Sequence, residues 1–360
     1  MGIFGSNRQP RRVRRSLDGI SRGSDSYFQR SKRAGLSLGP QELKPKRKIW
    51  KRLLLLFLML LVVGAAGIVG LYFYIKNTPL KGETAGRINI MVLGVDDAAS
   101  LSDTVMIVSI NTQNKAEPKV AMISIPRDLV VEIPQFGESK INAAYTYGQN
   151  NNYPGGGAAL SKRTIEDTFE LPIHYYATLD FTGFRQLIDT VGGVDIEVKQ
   201  AIDDPFYPNA DYSGYSYFSI AAGQQHMDGE LALRYARSRI TTSDFDRAAR
   251  QQQIVQAFKA KVLSKETLLD KKKIDQLRAV LKDHVQTDLS NRELLKLADI
   301  SRRVKDDRVT RHVIDSSNFL TSGTLNDSSL TPKDGDFDAI NAFIKNIFDE
   351  SQNNLPEAQQ

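Results

Sequence analysis

Two aspartates, Asp96 and Asp97, close the apolar run from Ile88 to Val95, and a third, Asp103, stands just before the next such run. The ends of apolar strands are where a rigid sheet presents polar groups to a crevice. Carboxylates without a neighbouring histidine or thiol suit a hard cation such as Mg2+, which takes few protein ligands and keeps positions for phosphate oxygens. A turn in which the aspartates serve as caps and Asx residues explains the same spacing, and residue types alone leave both readings open. Basic side chains recur in compact contexts: Arg127 in IPRD, Lys140 in SKIN, Arg237 and Arg239 in YARSR, and Arg247 and Arg250 in DRAARQQQ. Arg237 and Arg239 alternate as on an extended segment, whereas Arg247 and Gln251, four apart, share a helix face. The planar guanidinium fork matches phosphate and pyrophosphate oxygens two at a time. Taken singly, each of these residues is also an ordinary surface charge or ion-pair partner. Cysteine is absent, which removes disulfides and Cys-ligated metal sites. The four histidines (His174, His226, His284, His312) lack HxxxH or HExxH spacing, and no GxSxG elbow marks a nucleophilic serine.

These groups act together only if the intervening chain folds them to one place. The runs Ile88–Val95, Thr104–Asn111 and Val120–Ile125 are apolar on both faces, as central strands are, with turn-forming ASLSD and NTQNKAEP between them. Further on, the patterning predicts helices over Ala158–Phe169 and Thr182–Val191 and strands over Tyr175–Asp180 and Val194–Val198. Helices are expected near Gly229–Ser238, Asp246–Ser264, Leu268–Asp283, Asn291–Arg303 and Phe337–Phe348, with a strand at Val309–Ile314. Strands interleaved with helices specify a layered α-β-α domain on a central, mostly buried mixed sheet. With 41% hydrophobic residues the chain can fill such a core. The expected organisation is a domain over residues 87–350, a linker over 76–86 and a polar tail over 351–360.

The N-terminal part has a different character. Leu53–Ile75 contains neither charge nor proline over 23 residues, and about 20 suffice for one transmembrane helix. Before it, residues 1–52 hold fifteen Lys and Arg against three acidic residues, which leaves the remainder of a chain of net charge +6 acidic. Excess Lys and Arg on one flank keeps that side in the cytoplasm. The expectation is a single-pass protein of the cell membrane with a disordered basic cytoplasmic tail near anionic lipid and an extracytoplasmic C-terminal domain. The basic excess belongs to that tail, so nucleic acid is not the expected partner.

The motifs, taken in order, resemble the LytR-CpsA-Psr family of extracytoplasmic cell-wall ligases. They are NIMVLGVD, LSDTVMIVSIN, VAMISIPRDLVVEIP, KINAAYTYG, GGGAAL, PIHYYATLDFTGFRQLIDTVGGVDIEV, AAGQQHMDGELALRYARSR and SDFDRAARQQQIV, spanning about Arg87 to Leu263. The resemblance implies an α/β layer fold with a hydrophobic tunnel for a polyprenyl chain. It implies a phosphotransferase that moves a glycopolymer from polyprenyl pyrophosphate to a peptidoglycan hydroxyl, assisted by Mg2+. Asp96 and Asp103 match the Mg2+-binding carboxylates, and Arg127, Lys140, Arg237, Arg239, Arg247 and Gln251 match the pyrophosphate-binding group. Asp103, Arg127, Arg237, Arg239 and Arg247 are the implied catalytic set, with Asp103 as the group that helps deprotonate the acceptor hydroxyl. Asn142 and Asp246 are nearby polar positions. Two departures stand out: Leu101 occupies a position where many members have Arg, and Ile240–Asp244 has no glycine. A non-catalytic membrane receptor for polyprenyl lipids or glycans, and a hydrolase of the same pyrophosphate, are the competing functions.

Overall fold

The computed structural model describes residues 47–97, 101–209, 213–238, 244–323, 325 and 328–349. Residues 1–46 of the expected basic tail and the polar tail over 351–360 lie outside these, whereas residues 47–52, expected to be disordered, are helical. The described residues fall into two units, divided between Ile68 and Val69. Helix α1 (Arg47–Asn77) contains the apolar run, and its side chains from Leu56 to Val63 are exposed. Over the described residues no helix is long and apolar enough to cross a membrane; the side chains of Leu53–Leu55, Ile68, Leu71 and Tyr72 are outside the description.

In the second unit, residues 78–86 pack down before the first strand. Leu80 and Glu83 are buried. The buried Lys296 amine lies 2.6 Å from a Glu83 carboxylate oxygen and donates to the Thr78 carbonyl at 2.6 Å. Burial alone would raise the Glu83 pKa, but the Lys296 and Leu80 hydrogen bonds and the Lys296 and Lys115 charges together carry it below the ordinary carboxylate value.

Six strands form the central sheet: β1 (Arg87–Val95), β2 (Ser102–Asn111), β3 (Lys119–Ile125), β6 (Tyr175–Asp180), β11 (Val285–Thr287) and β12 (Val309–Val313). Their order is β11-β6-β1-β2-β3-β12. The β1–β6 and β3–β12 pairs are parallel and the other three antiparallel, so the sheet is mixed as expected. One face buries Met91, Leu93, Val105, Ile107 and Ile123 in a core shared with helices α2 (Ala143–Asn150), α3 (Gly156–Phe169) and α10 (Asp338–Lys345). The opposite face carries Ile88, Ile90 and Ile110, which pack with Ile300 of α9 (Asn291–Arg303). Helices therefore cover both faces, and the α-β-α layering holds.

Helices α4 (Phe181–Thr190), α5 (Gly229–Arg237) and α6 (Asp244–Val262) follow β6 in the chain. Beside them lies a smaller core. The antiparallel pair β7 (Val194–Val198) and β10 (Gly223–Met227), and the hairpin β8 (Ile202–Pro208) and β9 (Tyr215–Ile220), bury Val194, Ile196, Tyr207 and Phe218 against Ala232, Tyr235 and Ile254. Helix α8 (Lys271–His284) packs against α4 through Leu277 and Val280. The small hairpins β4 (Val130–Ile133) with β5 (Gly137–Lys140), and β13 (Leu320–Ser322) with β14 (Leu330–Pro332), complete the unit.

Candidate active site

Strands β1, β3, β6 and β12 point one way and β2 and β11 the other, so the carboxyl ends of four strands lie at the edge where β2 starts. Val95 pairs with both Asp180 and Ser102, across a bulge, and Val105 pairs with Ile125. Asp96, Asp103, Arg127 and Asp180 thus issue from the carboxyl edge of the parallel strands, where open α/β sheets bind ligands. Gly94 lies opposite Thr104, and a Cβ there would stand 3.0 Å from the Thr104 side chain. Glycine allows the strands to close at this point.

Arg127 pairs with Asp103. Its Nε also lies 3.4 Å from Asp128, whose second oxygen accepts from Lys140 Nζ at 2.8 Å. The result is an ionic chain from Lys140 through Asp128 and Arg127 to Asp103. Asn142 is buried; its N–H donates to the Arg127 carbonyl at 3.3 Å and its carbonyl accepts from Ser102 at 3.4 Å. It fixes the backbone that presents Arg127 and Asp103. Asp97 accepts from the Thr182 N–H at 2.7 Å and from Arg185 at 3.4 Å, the capping role open to such a residue.

Two helices deliver the remaining cations. Arg237 ends α5, its guanidinium 4.5 Å from the Phe181 ring centroid and donating to the Tyr207 hydroxyl at 3.3 Å. Burial pushes the Tyr207 phenol above its ordinary pKa, so it stays protonated at neutral pH. On α6, Arg247, Gln251 and Val255 recur every fourth residue and line one cavity. Gln252, beside that stripe and fully buried, anchors the helix to the sheet. Its amide donates to Ser124 Oγ at 2.8 Å and to the His312 carbonyl at 3.0 Å. Arg250, also buried, donates to the Tyr235 carbonyl at 2.9 Å and to the Ser238 carbonyl. Ser238 in turn donates to the buried Asp204 at 2.7 Å.

The cavity so enclosed has a volume of about 560 Å³. Val92, Met106, Leu179, Phe184, Leu233 and Val255 give it an apolar body, and Asp103, Arg127, Arg237, Arg247 and Gln251 supply charge and amide groups. Those five sequence-predicted residues share one lining. Asp96 is buried near the same edge, and Lys140 is held by Asp128; neither belongs to the lining. Asp246 and Leu101 are exposed and likewise outside it. Arg239 and residues 240–243 lie outside the described residues.

Sequence reasoning missed Asp180, which lines the cavity, caps α4 through the Gly183 N–H at 2.6 Å and pairs with His284 at 3.0 Å. It ends an apolar strand just as Asp96 does, so the same rule would have found it. It also missed the lining residues Phe206 and Tyr215, on a hairpin that no motif flags. Among the described residues no three His, Cys, Asp or Glu side chains cluster to hold a metal ion. Asp103 is partly exposed on the lining, and Asp96 lies at the same edge. Two carboxylates and no softer donor fit a hard cation that completes its shell with water and phosphate oxygens.

Fold and site together define an α/β protein that joins an apolar cavity to a cationic rim. The chain belongs to the LytR_cpsA_psr family, whose profile matches residues 74–335. It is 34% identical over 279 residues to the polyisoprenyl-teichoic acid–peptidoglycan teichoic acid transferase TagU of Oceanobacillus iheyensis, covering 71% of this chain and 81% of that protein. The transferase TagV of Bacillus subtilis is 33% identical, covering 71% and 68%. The crystal structure of B. subtilis TagV superposes with a TM-score of 0.56 at 28% identity, covering 72% of this chain and 96% of that one. The regulatory protein MsrR of Staphylococcus aureus is 33% identical over 219 residues, 59% of each chain.

Proposed function

We propose that this protein is a phosphotransferase that moves a glycopolymer from a polyprenyl-pyrophosphate carrier onto a peptidoglycan hydroxyl. The observation that carries the reading is the single cavity in which an apolar body meets Arg127, Arg237, Arg247, Gln251 and Asp103. A polyprenyl diphosphate has the same two halves. The names of TagU and TagV, transferases that this chain matches over most of their length, support the reading.

In the proposed reaction the acceptor oxygen bonds to the sugar-bearing phosphorus, and the bond from that phosphorus to the bridging oxygen breaks. Polyprenyl phosphate leaves. Such transfer depends on charge neutralisation and alignment more than on covalent chemistry by the protein. Arg127, Arg237 and Arg247 bind the phosphoryl oxygens and stabilise charge that develops on them. Gln251 adds an amide donor. Lys140 supports Arg127 through Asp128, and Arg239 completes the cationic set. Asp103, on the cavity lining, takes the proton of the acceptor hydroxyl. Bound Mg2+, held by Asp96 and Asp103, would supply further charge neutralisation at the phosphates. Helix α1 anchors the domain to the cell membrane, with the basic tail cytoplasmic and the site outside, where a lipid pyrophosphate replaces ATP as the energy source.

The test uses the full chain in detergent with a polyprenyl-pyrophosphate-linked sugar, peptidoglycan fragments and Mg2+, read by mass spectrometry. A phosphodiester-linked product that disappears in Arg237→Ala and Arg247→Ala is expected. Free sugar phosphate alone would indicate a hydrolase. Tight lipid binding without turnover would favour a regulator, the role that the name of MsrR carries.

A further inference from the structure

Beyond helix α1, the aromatic side chains that stand exposed among the described residues are Phe206, Tyr215 and Tyr217. All three belong to the β8–β9 hairpin. The inner face of that hairpin, Ile202, Tyr207, Phe218 and Ile220, is buried in the smaller core, so folding accounts for that side only. On the outer face Tyr215, Tyr217 and Ser219 alternate along β9, and Asp203 pairs with Ser219 across the strands. Phe206 meets Tyr215 edge to face at 5.9 Å between centroids. Phe206 and Tyr215 also line the cavity, so the aromatic strip continues outward from it.

Charge decides what such a face suits. Within the hairpin, from Ile202 to Ile220, there is no Lys or Arg; of its acidic residues Asp203 stands exposed on the outer face, while Asp204 is buried and accepts from Ser238. The hairpin itself offers no cation to a polyanion or to a surface of anionic headgroups. A neutral sugar ring needs none. Its C–H face stacks on an aromatic ring, whose π-face is electron-rich, and its hydroxyls hydrogen-bond to a carboxylate and a serine beside it.

We propose that the outer face of the β8–β9 hairpin is a platform for neutral sugar rings of the acceptor glycan, stacked on Tyr215 and Tyr217 and hydrogen-bonded by Asp203 and Ser219. The assignment to the acceptor rests on the transferase reading, while the sugar-binding surface itself does not. A sugar seated there lies beside Tyr215 and Phe206, the two hairpin residues that also line the cavity.

The experiment titrates the full chain in detergent with chitotetraose, a neutral amino-sugar oligomer, by calorimetry and saturation-transfer NMR. Inorganic pyrophosphate is titrated in parallel. Saturable chitotetraose binding is expected, weakened about tenfold in Tyr217→Ala and retained in Tyr217→Trp. Pyrophosphate binding should be the same in all three proteins, because Tyr217 is not on the cavity lining. In Arg247→Ala the pattern reverses, with chitotetraose binding kept and pyrophosphate binding lost. Unchanged pyrophosphate binding in Arg247→Ala would count against the transferase site and leave the platform standing. Absence of chitotetraose binding, or equal binding by wild type and Tyr217→Ala, overturns the platform. So does a Tyr217→Ala variant whose only defect is weaker binding to phosphatidylglycerol vesicles, which would make the hairpin a membrane contact.

Discussion

Gln252 does not itself line the cavity, yet the placement of Arg247 and Gln251 depends on it. Its amide is fully buried and donates to Ser124 Oγ at 2.8 Å and the His312 carbonyl at 3.0 Å, with a weaker approach to the Met122 carbonyl at 3.4 Å. Gln252→Leu keeps the volume and removes the donors. Two well-formed bonds contribute about 1 kcal/mol each, and partners left facing an apolar group add to the loss, so a net cost of about 2–3 kcal/mol is expected. For a domain of this size that lowers the Tm by about 4–6 °C, measurable by calorimetry. Turnover at saturating substrate should fall about tenfold or more, because a small displacement of α6 misplaces both proposed phosphate ligands. Gln252→Glu sharpens the test. Its carboxyl faces carbonyl oxygens in a dry site, so burial raises its pKa in the folded state. A raised folded pKa gives stability that is present at low pH and lost as pH rises through that value. Gln252→Glu should therefore resemble Gln252→Leu near pH 5 and be clearly less stable at pH 8. Equal stabilities at both pH values, or a Gln252→Leu protein that melts with wild type, would refute the anchoring role.

Three further predictions rest on the same reasoning. Arg247→Ala should abolish transfer while the protein still unfolds cooperatively. Arg250→Ala, three residues along, should lower stability by about 2–4 kcal/mol because the Tyr235 and Ser238 carbonyls lose a buried charged donor; equal melting temperatures for the two variants would contradict this division of roles. Lys296→Met should cost about 3–5 kcal/mol by leaving Glu83 buried without its main partner. The lowered Glu83 pKa gives wild type stability that is full above the ordinary carboxylate range and lost as pH falls through the folded value. In Lys296→Met burial prevails instead, so the gap in Tm between the two proteins should narrow toward about pH 4, and a gap independent of pH would rule the pairing out. Finally, with only Asp96 and Asp103 as proposed protein donors, Mg2+ should bind weakly to the protein alone and at least tenfold more tightly with pyrophosphate present. Calorimetry showing the same affinity in both cases would argue against a site shared with the phosphates.

Local signals carried much of this fold, and their physical basis explains where they stopped. Strands β6 and β7 run over the residues expected of them, because β6 is an aromatic-rich segment ended by a helix cap and β7 alternates apolar and acidic residues after the Gly192-Gly193 turn. The Arg247–Gln251 face follows from helical spacing alone. Hairpin β8–β9 was hidden because Pro205 and Pro208 fall inside β8, and proline in a run argues against a strand unless it is an edge. Helix α2 has no side-chain cap, and its Gly148 serves a close approach to Gly157, where a Cβ would stand 2.7 Å from the neighbouring Cα. Neither feature is visible in a one-dimensional pattern. Lys140 shows the complementary limit. Its motif sets it beside Arg127, but only strand pairing and a third residue, Asp128, decide that its amine supports the rim from behind. Residue type named the chemistry of each group, while convergence depended on the order and direction of six strands.

That division between apolar body and charged rim bears on how the proposed enzyme would use its binding energy. Contacts along Val92, Met106, Phe184 and Val255 grip a lipid chain equally before and during reaction, so by themselves they lower KM and leave the chemical step untouched. Contacts from Arg127, Arg237 and Arg247 strengthen as charge gathers on the phosphoryl oxygens and act on the barrier itself. Filling the cavity with Val255→Trp should therefore raise KM for the lipid substrate more than it lowers kcat. Arg237→Lys keeps the charge but loses the planar fork and the stacking on Phe181, and should do the reverse. Steady-state kinetics on both variants decide the matter: if the two lose kcat and KM in the same proportion, the cavity and the rim are not separate devices, and lipid binding is itself part of aligning the phosphorus for attack.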